Sequence, residues 1–284
     1  MSRILACIDA STYATSVVDL AAWAAKGLGV DVELLHIVQR KDAIAARHDH
    51  SGAIGLGVKS ELLEELTRIE EAAGRLAIEE GRILLDAGIE RLKGHGVTVS
   101  SMHLHGGIVE TIVEREADAG LLVIGKRGAS GQFAMEHIGS KVERVVRASD
   151  KPVLIAPREF KQTPRSVVIA YDDSAAATRA VAMVAASPLF SGLPVHLVSA
   201  GVREPDGHDI LARAAEPLRM AGFSVDTFVD EGKPEQVIPD YLMANADSIL
   251  VMGAYGHSPL RTLIVGSTTT TMIRTVHVPV LLVR

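Results

Sequence analysis

Near the end of the chain, Gly253-Ala254-Tyr255-Gly256 is followed, after nine intervening residues, by Gly266-Ser267-Thr268. A pair of glycines lets the backbone leave a strand in a tight turn. A later Gly-Ser that opens a helix presents free N–H groups where the helix dipole favours anions. Bare backbone at Gly266 permits the close approach of a phosphate, and Ser267 and Thr268 add hydroxyl donors. The chemistry this spacing supports is the capture of an anionic group rather than bond cleavage. Gly-x-x-Gly alone is an ordinary turn, so its surroundings decide its meaning.

Those surroundings are repeated. Ile4-Leu5-Ala6-Cys7-Ile8-Asp9-Ala10-Ser11 returns as Val167-Val168-Ile169-Ala170-Tyr171-Asp172-Asp173-Ser174. Leu121-Leu122-Val123-Ile124-Gly125-Lys126-Arg127-Gly128 returns as Ile249-Leu250-Val251-Met252-Gly253-Ala254-Tyr255-Gly256, and Lys151-Pro152-Val153-Leu154-Ile155-Ala156 as Val278-Pro279-Val280-Leu281-Leu282-Val283. Three landmarks in one order mark a duplication. In the first copy ten residues, not nine, separate Gly128 from Gly139-Ser140. Asp9, Gly125, Gly128, Gly139 and Ser140 therefore form a second, altered candidate cradle. Lys126 and Arg127 are positioned to add positive charge to it.

The elements that must hold these residues are short apolar runs separated by helical patterns. Runs near 3–9, 32–38, 97–104, 120–125 and 152–157, then 166–172, 194–199, 224–229, 248–253 and 279–284, read as strands. Continuous apolar runs fit strands covered on both faces, and strand–helix alternation implies right-handed crossovers in a parallel sheet. The fold class is α/β, two tandem doubly wound domains, 1–158 and 165–284, with the polar stretch from Arg158 to Pro164 as linker. In such sheets ligands bind beyond the carboxyl ends of the strands, where Asp9, Asp172, Gly125 and Gly253 all fall. The first copy carries extra length around residues 41–93. There Ala53-Ile54-Gly55-Leu56-Gly57 reads as a flexible connection, and Glu64, Glu65, Glu70, Glu71, Glu79 and Glu80 as the solvated face of a helix that covers the sheet. A lid or partner surface is the alternative.

These residues resemble the universal stress protein family, in its tandem-domain form, over essentially the whole chain. The family's Gly-x2-Gly-x9-Gly-Ser/Thr signature is met by Gly253, Gly256, Gly266 and Ser267, its first-strand Asp by Asp172 and Asp9, and its Gly-x-Pro by Gly232-Lys233-Pro234. In the first copy Gly106-Gly107-Ile108 stands in place of Gly-x-Pro. The resemblance implies five parallel strands per domain in the order 3-2-1-4-5, paired fifth strands forming an internal pseudo-dimer, and ATP or a related adenine nucleotide at the strand tips, with Mg²⁺ as its companion ion. Asp172 would contact the base region, and Gly253, Gly256, Gly266, Ser267 and Thr268 would cradle the phosphates. Further association of two chains into a homodimer and a role in stress-response regulation are expected on the same ground.

Composition narrows the alternatives. A formal net charge of −6 and a pI near 6.0 argue against a general nucleic-acid binder, which needs clustered Lys and Arg. The single cysteine, Cys7, supports no internal disulfide and fits a reducing cytoplasm. No apolar run approaches the length of a membrane span. His103 and His105 share a strand face but lack a third ligand, and His48, His50, His137 and His257 read as loop or turn residues. No catalytic triad order and no Gly-x-x-x-x-Gly-Lys-Ser/Thr loop is present, so no catalytic residue and no metal ligand is assigned. Slow ATP hydrolysis is the most enzymatic reading, and a nucleotide-independent scaffold is the alternative from another class.

Overall fold

The computed structural model describes residues 3–39, 56–129, 140–254 and 267–284. Its first half runs β1 (Arg3–Cys7), α1 (Ala14–Leu28), β2 (Val32–Val38), α2 (Leu56–Gly94), β3 (Val99–His105), α3 (Ile108–Arg115), β4 (Ala119–Gly125), α4 (Ser140–Ala148) and β5 (Val153–Ala156). The second half repeats the plan with β6 (Ser166–Ala170), α5 (Ala175–Ala186), β7 (Val195–Ala200), α6 (Glu204–Met220), β8 (Val225–Asp230), α7 (Pro234–Ala244), β9 (Ser248–Gly253), α8 (Ser267–Thr275) and β10 (Val280–Val283).

All ten strands join one sheet in the order β3-β2-β1-β4-β5-β10-β9-β6-β7-β8. Each half is thus wound 3-2-1-4-5 and parallel within itself. The halves meet where β5 and β10 pair antiparallel, Val280 opposite Ile155, Leu281 opposite Leu154 and Leu282 opposite Val153. The antiparallel joint turns the second half end for end, so the carboxyl tips of the two halves lie on opposite edges of the sheet.

Strand alternation divides the core into two layers. Ile4, Ala6 and Leu34 face α1 and the end of α2, while Ile169, Val251 and Leu281 face α5 and α6. Leu5, Leu35 and Leu122 face α3 and α4 on the other side, and Val168, Leu250 and Leu282 face α7 and α8. Because both layers run through the β5–β10 joint, the halves share their core.

The long α2 departs from the expected covering helix. Only its last turns lie on the sheet, through Gly81, Leu85, Gly88 and Leu92, while residues 64–69 and 71–76 are exposed on every side. The helix also begins at Leu56, within the stretch expected to be a connection. The strong helix formers that follow carry the helical conformation back through Gly57. A helix of 39 residues is about 58 Å long at 1.5 Å per residue, far longer than the β2–β3 surface beneath it, so its front must overhang.

Candidate functional site

At the tip of each half an aspartate stands two residues beyond the first strand and closes the same turn. Asp9 Oδ1 accepts the Ser11 amide at 3.1 Å, and Asp172 Oδ1 accepts the Ser174 amide at 3.1 Å. The repeated Asp-x-Ser is therefore an Asx turn that launches the next helix. Ser174 continues the device by capping α5, its Oγ accepting the Ala177 amide at 3.1 Å. Between them Asp173 is the one described non-glycine residue with positive φ, at 60°, a conformation Asp adopts more readily than most residues.

In the first half the carboxylate does a second task. Asp9 Oδ2 accepts the Ala129 amide at 2.9 Å, tying the turn after β1 to the glycine loop after β4. A Cβ on Gly128 would come within 2.8 Å of that same oxygen, so a side chain there would push the Asp9 carboxylate off the Ala129 amide. Above this clasp lies an open cleft lined by Asp9, Gly125, Arg127, Gly128 and Lys141, with apolar walls from Leu35, Ile37, Ile108 and Val142 among others. Its enclosed part measures about 90 Å³, well under the few hundred of a full small-molecule pocket. Gly139 lies outside the described residues, and Ser140 is the first residue of α4.

Lys126 does not join this cleft. It is 8% exposed and donates from Nζ to the Val276 carbonyl of the second half at 2.8 Å. Burial, and then the neighbouring Arg127 charge, pull its pKa down to about 8. The expected cationic help for the cradle is therefore spent on the contact between halves. Arg127 faces the cleft instead.

In the second half Gly253 ends β9, and a Cβ there would meet the Ala176 carbonyl carbon at 2.5 Å and the Ala177 nitrogen at 2.6 Å. The glycine is thus required by the start of α5, whatever binds nearby. Thr268, in the first turn of α8, donates from Oγ1 to Glu235 Oε1 at 2.9 Å. Glu235 sits in the first turn of α7 beside Pro234, so α7 brings a carboxylate to the end of α8 where an anion was expected. The sequence gives no signal for this pairing between residues 33 apart. Gly256 and Gly266 lie outside the described residues, and Ser267 opens α8.

His103 and His105 share the β3 face as expected, their rings stacked at 6.2 Å, and His36 of β2 meets His103 edge-on at 5.0 Å. His36 Nδ1 and His103 Nε2 are buried without hydrogen-bond partners beneath α2, whose Gly81 leaves them room. Burial, and then the His103 charge, hold His36 below the ordinary histidine pKa. Among the described residues no group of three or more His, Cys, Asp or Glu side chains is arranged to hold a metal. His48, His50, His137 and His257 lie outside them. Burial pushes the Cys7 thiol far above the usual range, aided by the negative charges of Glu116, Asp9 and Glu33. No described helix is long and apolar enough to cross a membrane.

Comparison with known proteins meets this geometry from outside. The sequence model of the Universal stress protein family matches residues 1–157 and 202–284. The chain is 34% identical to the universal stress protein Slr1230 of a Synechocystis strain over 288 aligned positions, covering 100% of both chains. Among solved structures, a universal stress protein from Archaeoglobus fulgidus superposes with a TM-score of 0.73 at 20% identity, covering 99% of this chain and 98% of its own. A shorter universal stress protein solved in complex with cAMP matches 43% of this chain and 98% of its own, with a TM-score of 0.38 at 22% identity. The full-length match to Slr1230 and the family match across both halves agree with the doubled 3-2-1-4-5 winding, and the chain belongs to the universal stress protein family.

Proposed function

We propose that the chain is a cytoplasmic, nucleotide-responsive regulator of a stress response, built from units 1–158 and 165–284, and that the second unit binds an adenine nucleotide, ATP in the first instance. The observation that carries this reading is the Gly253-x2-Gly256-x9-Gly266-Ser267 spacing set between the end of β9 and the first turn of α8. Asp172 marks the base end of the site. Gly256, Gly266, Ser267 and Thr268 supply amides and hydroxyls to the phosphates, where the α8 dipole favours negative charge.

Glu235 is the unfavourable neighbour in that arrangement, since its carboxylate accepts from Thr268 at 2.9 Å. The carboxylate and hydroxyl together are hard oxygen donors of the kind Mg²⁺ takes. Glu235 and Thr268 would hold the ion, and its charge would offset Glu235 and the phosphates alike. The cleft of the first half is a second site of the same type, on the strength of its apolar walls and of Arg127 and Lys141 at its rim. Occupancy, rather than turnover, is the output. Asp9 and Asp172 already accept backbone amides, which suits carboxylates that shape turns better than general bases.

Calorimetry with ATP and Mg²⁺ on the wild type and on Gly266→Glu tests the reading. Binding by the wild type and its loss in the variant are expected. Equal heats would move the site elsewhere, and no heat from either protein would leave the nucleotide-independent scaffold. ADP release that survives loss of both Ser267 and Asp172 would assign hydrolysis to another site or to a contaminant.

A further inference from the structure

The last turns of α2 are held to the first half at two places of opposite character. At the far end Leu92 is fully buried, and Arg91 donates to both carboxylate oxygens of Asp19 on α1, at 2.5 and 2.7 Å. His95 Nε2 lies 3.1 Å from the same Asp19 Oδ1. At the near end Gly81 rests on two imidazoles. A Cβ at Gly81 would stand 2.5 Å from both His36 Nδ1 and His103 Nε2, so the two nitrogens converge on one spot beneath the helix. Neither has a hydrogen-bond partner, and His36 is 8% exposed. Docking α2 therefore strips water from two polar nitrogens and returns no bond to either, the costly way to bury a polar group. With the helix lifted, water reaches both.

We infer that α2 is an acid-released arm: protonation of the His36–His103 pair lifts the turns around Gly81 off β2 and β3, while the end at Arg91 and His95 stays fixed. The device is independent of what the strand tips bind.

The groups that face His36 set the direction. From β3 the His103 ring meets it edge-on at 5.0 Å, with His105 stacked against His103 at 6.2 Å, so a second imidazolium would stand directly against the first. Glu80 of α2, and Asp9 in the turn after β1, favour the charged ring, but burial and His103 outweigh them and hold His36 below its ordinary pKa. The residues that β1 and α1 bury in this layer, among them Ala6, Ile8, Val17 and Val18, are apolar, and Asp19 of α1 is engaged at the far end. The lifted form, with His36 in water, thus takes up its proton first. Docking is complete above the ordinary histidine pKa and loses ground below it. Acid acts the other way at the far end, where a charged His95 makes an ion pair with Asp19. Opposite responses at the two ends place the hinge between them, at Gly88, a residue of low helix propensity. Acid opens one segment and leaves the rest of the half folded.

Amide hydrogen exchange of the full chain, corrected for the intrinsic pH dependence of exchange and followed across the ordinary histidine range, tests the arm. Protection of residues 78–87 is expected to fall by up to about tenfold per pH unit, the effect of one proton, while residues 89–94 keep theirs. The double variant His36→Gln, His103→Gln has no proton to gain there, and its protection of 78–87 should not vary with pH. Glu80→Gln removes an exposed charge that helps His36 hold its proton, and protection of 78–87 at the acid end should drop roughly twofold to fivefold further. Wild-type protection of 78–87 that ignores pH, that falls in step with 89–94, or that falls equally in the double variant overturns the inference. Should the double variant fail to fold, Glu80→Gln decides, and acid-end protection equal to that of the wild type overturns it.

Discussion

Replacing Gly253 with alanine adds one methyl group, and the structure says where that methyl must go. It would lie 2.5 Å from the carbonyl carbon of Ala176, 2.6 Å from the amide nitrogen of Ala177 and 2.7 Å from the Ala176 Cβ. Ordinary contacts between such atoms begin about 1 Å farther out. All three obstacles are backbone or backbone-fixed, so no rotamer change relieves them, and either α5 retreats from the end of β9 or the strand bends. Overpacking of this kind costs about 1–3 kcal/mol. The upper end applies because the Ala177 amide is the donor that Ser174 Oγ accepts in capping α5, and a retreat of the helix strains that cap as well.

For a chain of this size, about 3 kcal/mol corresponds to a fall in melting temperature of roughly 5–10 °C. The assay is thermal unfolding followed by circular dichroism with no nucleotide present. Gly74→Ala is the internal control. Nothing lies within 4 Å of a Cβ at Gly74 in the exposed part of α2, so there the same methyl group should stabilise by up to about 1 kcal/mol through helix propensity. If Gly253→Ala melts with the wild type yet loses ATP binding, the glycine serves the ligand alone and the packing argument is wrong. If Gly74→Ala destabilises as much as Gly253→Ala, local crowding is not what separates the two sites.

The His36 pKa is held below its unfolded value by burial and by His103, so the unfolded chain takes up protons first as pH falls. Stability is therefore full above the ordinary histidine pKa and declines below it, and urea midpoints of His36→Gln should show a flatter slope through that range than the wild type. Glu235→Gln should tighten ATP binding in chelator by roughly threefold to tenfold, the value of removing one nearby, solvent-screened charge, while shrinking the benefit of Mg²⁺. Calorimetry in which both Kd values match the wild type would remove Glu235 from the site. Cys7 is only half-buried and lines the cleft, so its thiol is within reach of small reagents, but desolvation and three surrounding carboxylates oppose its thiolate, and alkylation should be much slower in the folded protein than in denaturant. Native-state labelling at the rate of a free thiol would contradict that environment.

The strand tips were legible because two independent constraints write to the same residues. A buried parallel strand must be apolar throughout, and the turn that follows must satisfy its own amides, so Ile4 to Ser11 and Val167 to Ser174 announce both strand and Asx turn in eight letters. What could not be read is where unlinked segments meet. Lys126 beside a glycine loop looks like charge for a phosphate, yet its ammonium is consumed by Val276, 150 residues away, through a joint that exists only because β5 and β10 pair antiparallel. Thr268 looks like a free hydroxyl until the 3-2-1-4-5 winding sets α7 next to α8 and brings Glu235 to it.

The same reasoning applies to α2, whose described glutamates are exposed as expected but of which only the last turns cover the sheet. Periodicity can report that a helix carries an apolar row, but it cannot tell which row meets the sheet when there are two. Gly81 and Gly88 hid the covering row, since a glycine contributes nothing to a hydrophobic pattern, although a Cβ at either position would strike His36 or Leu34 within 2.8 Å. The visible row of Leu and Ile belongs to the opposite side. Leu85 and Leu92 dock the last turns on the sheet with the two glycines between and before them, while Leu66, Ile69 and Leu76 stay exposed on the part that overhangs.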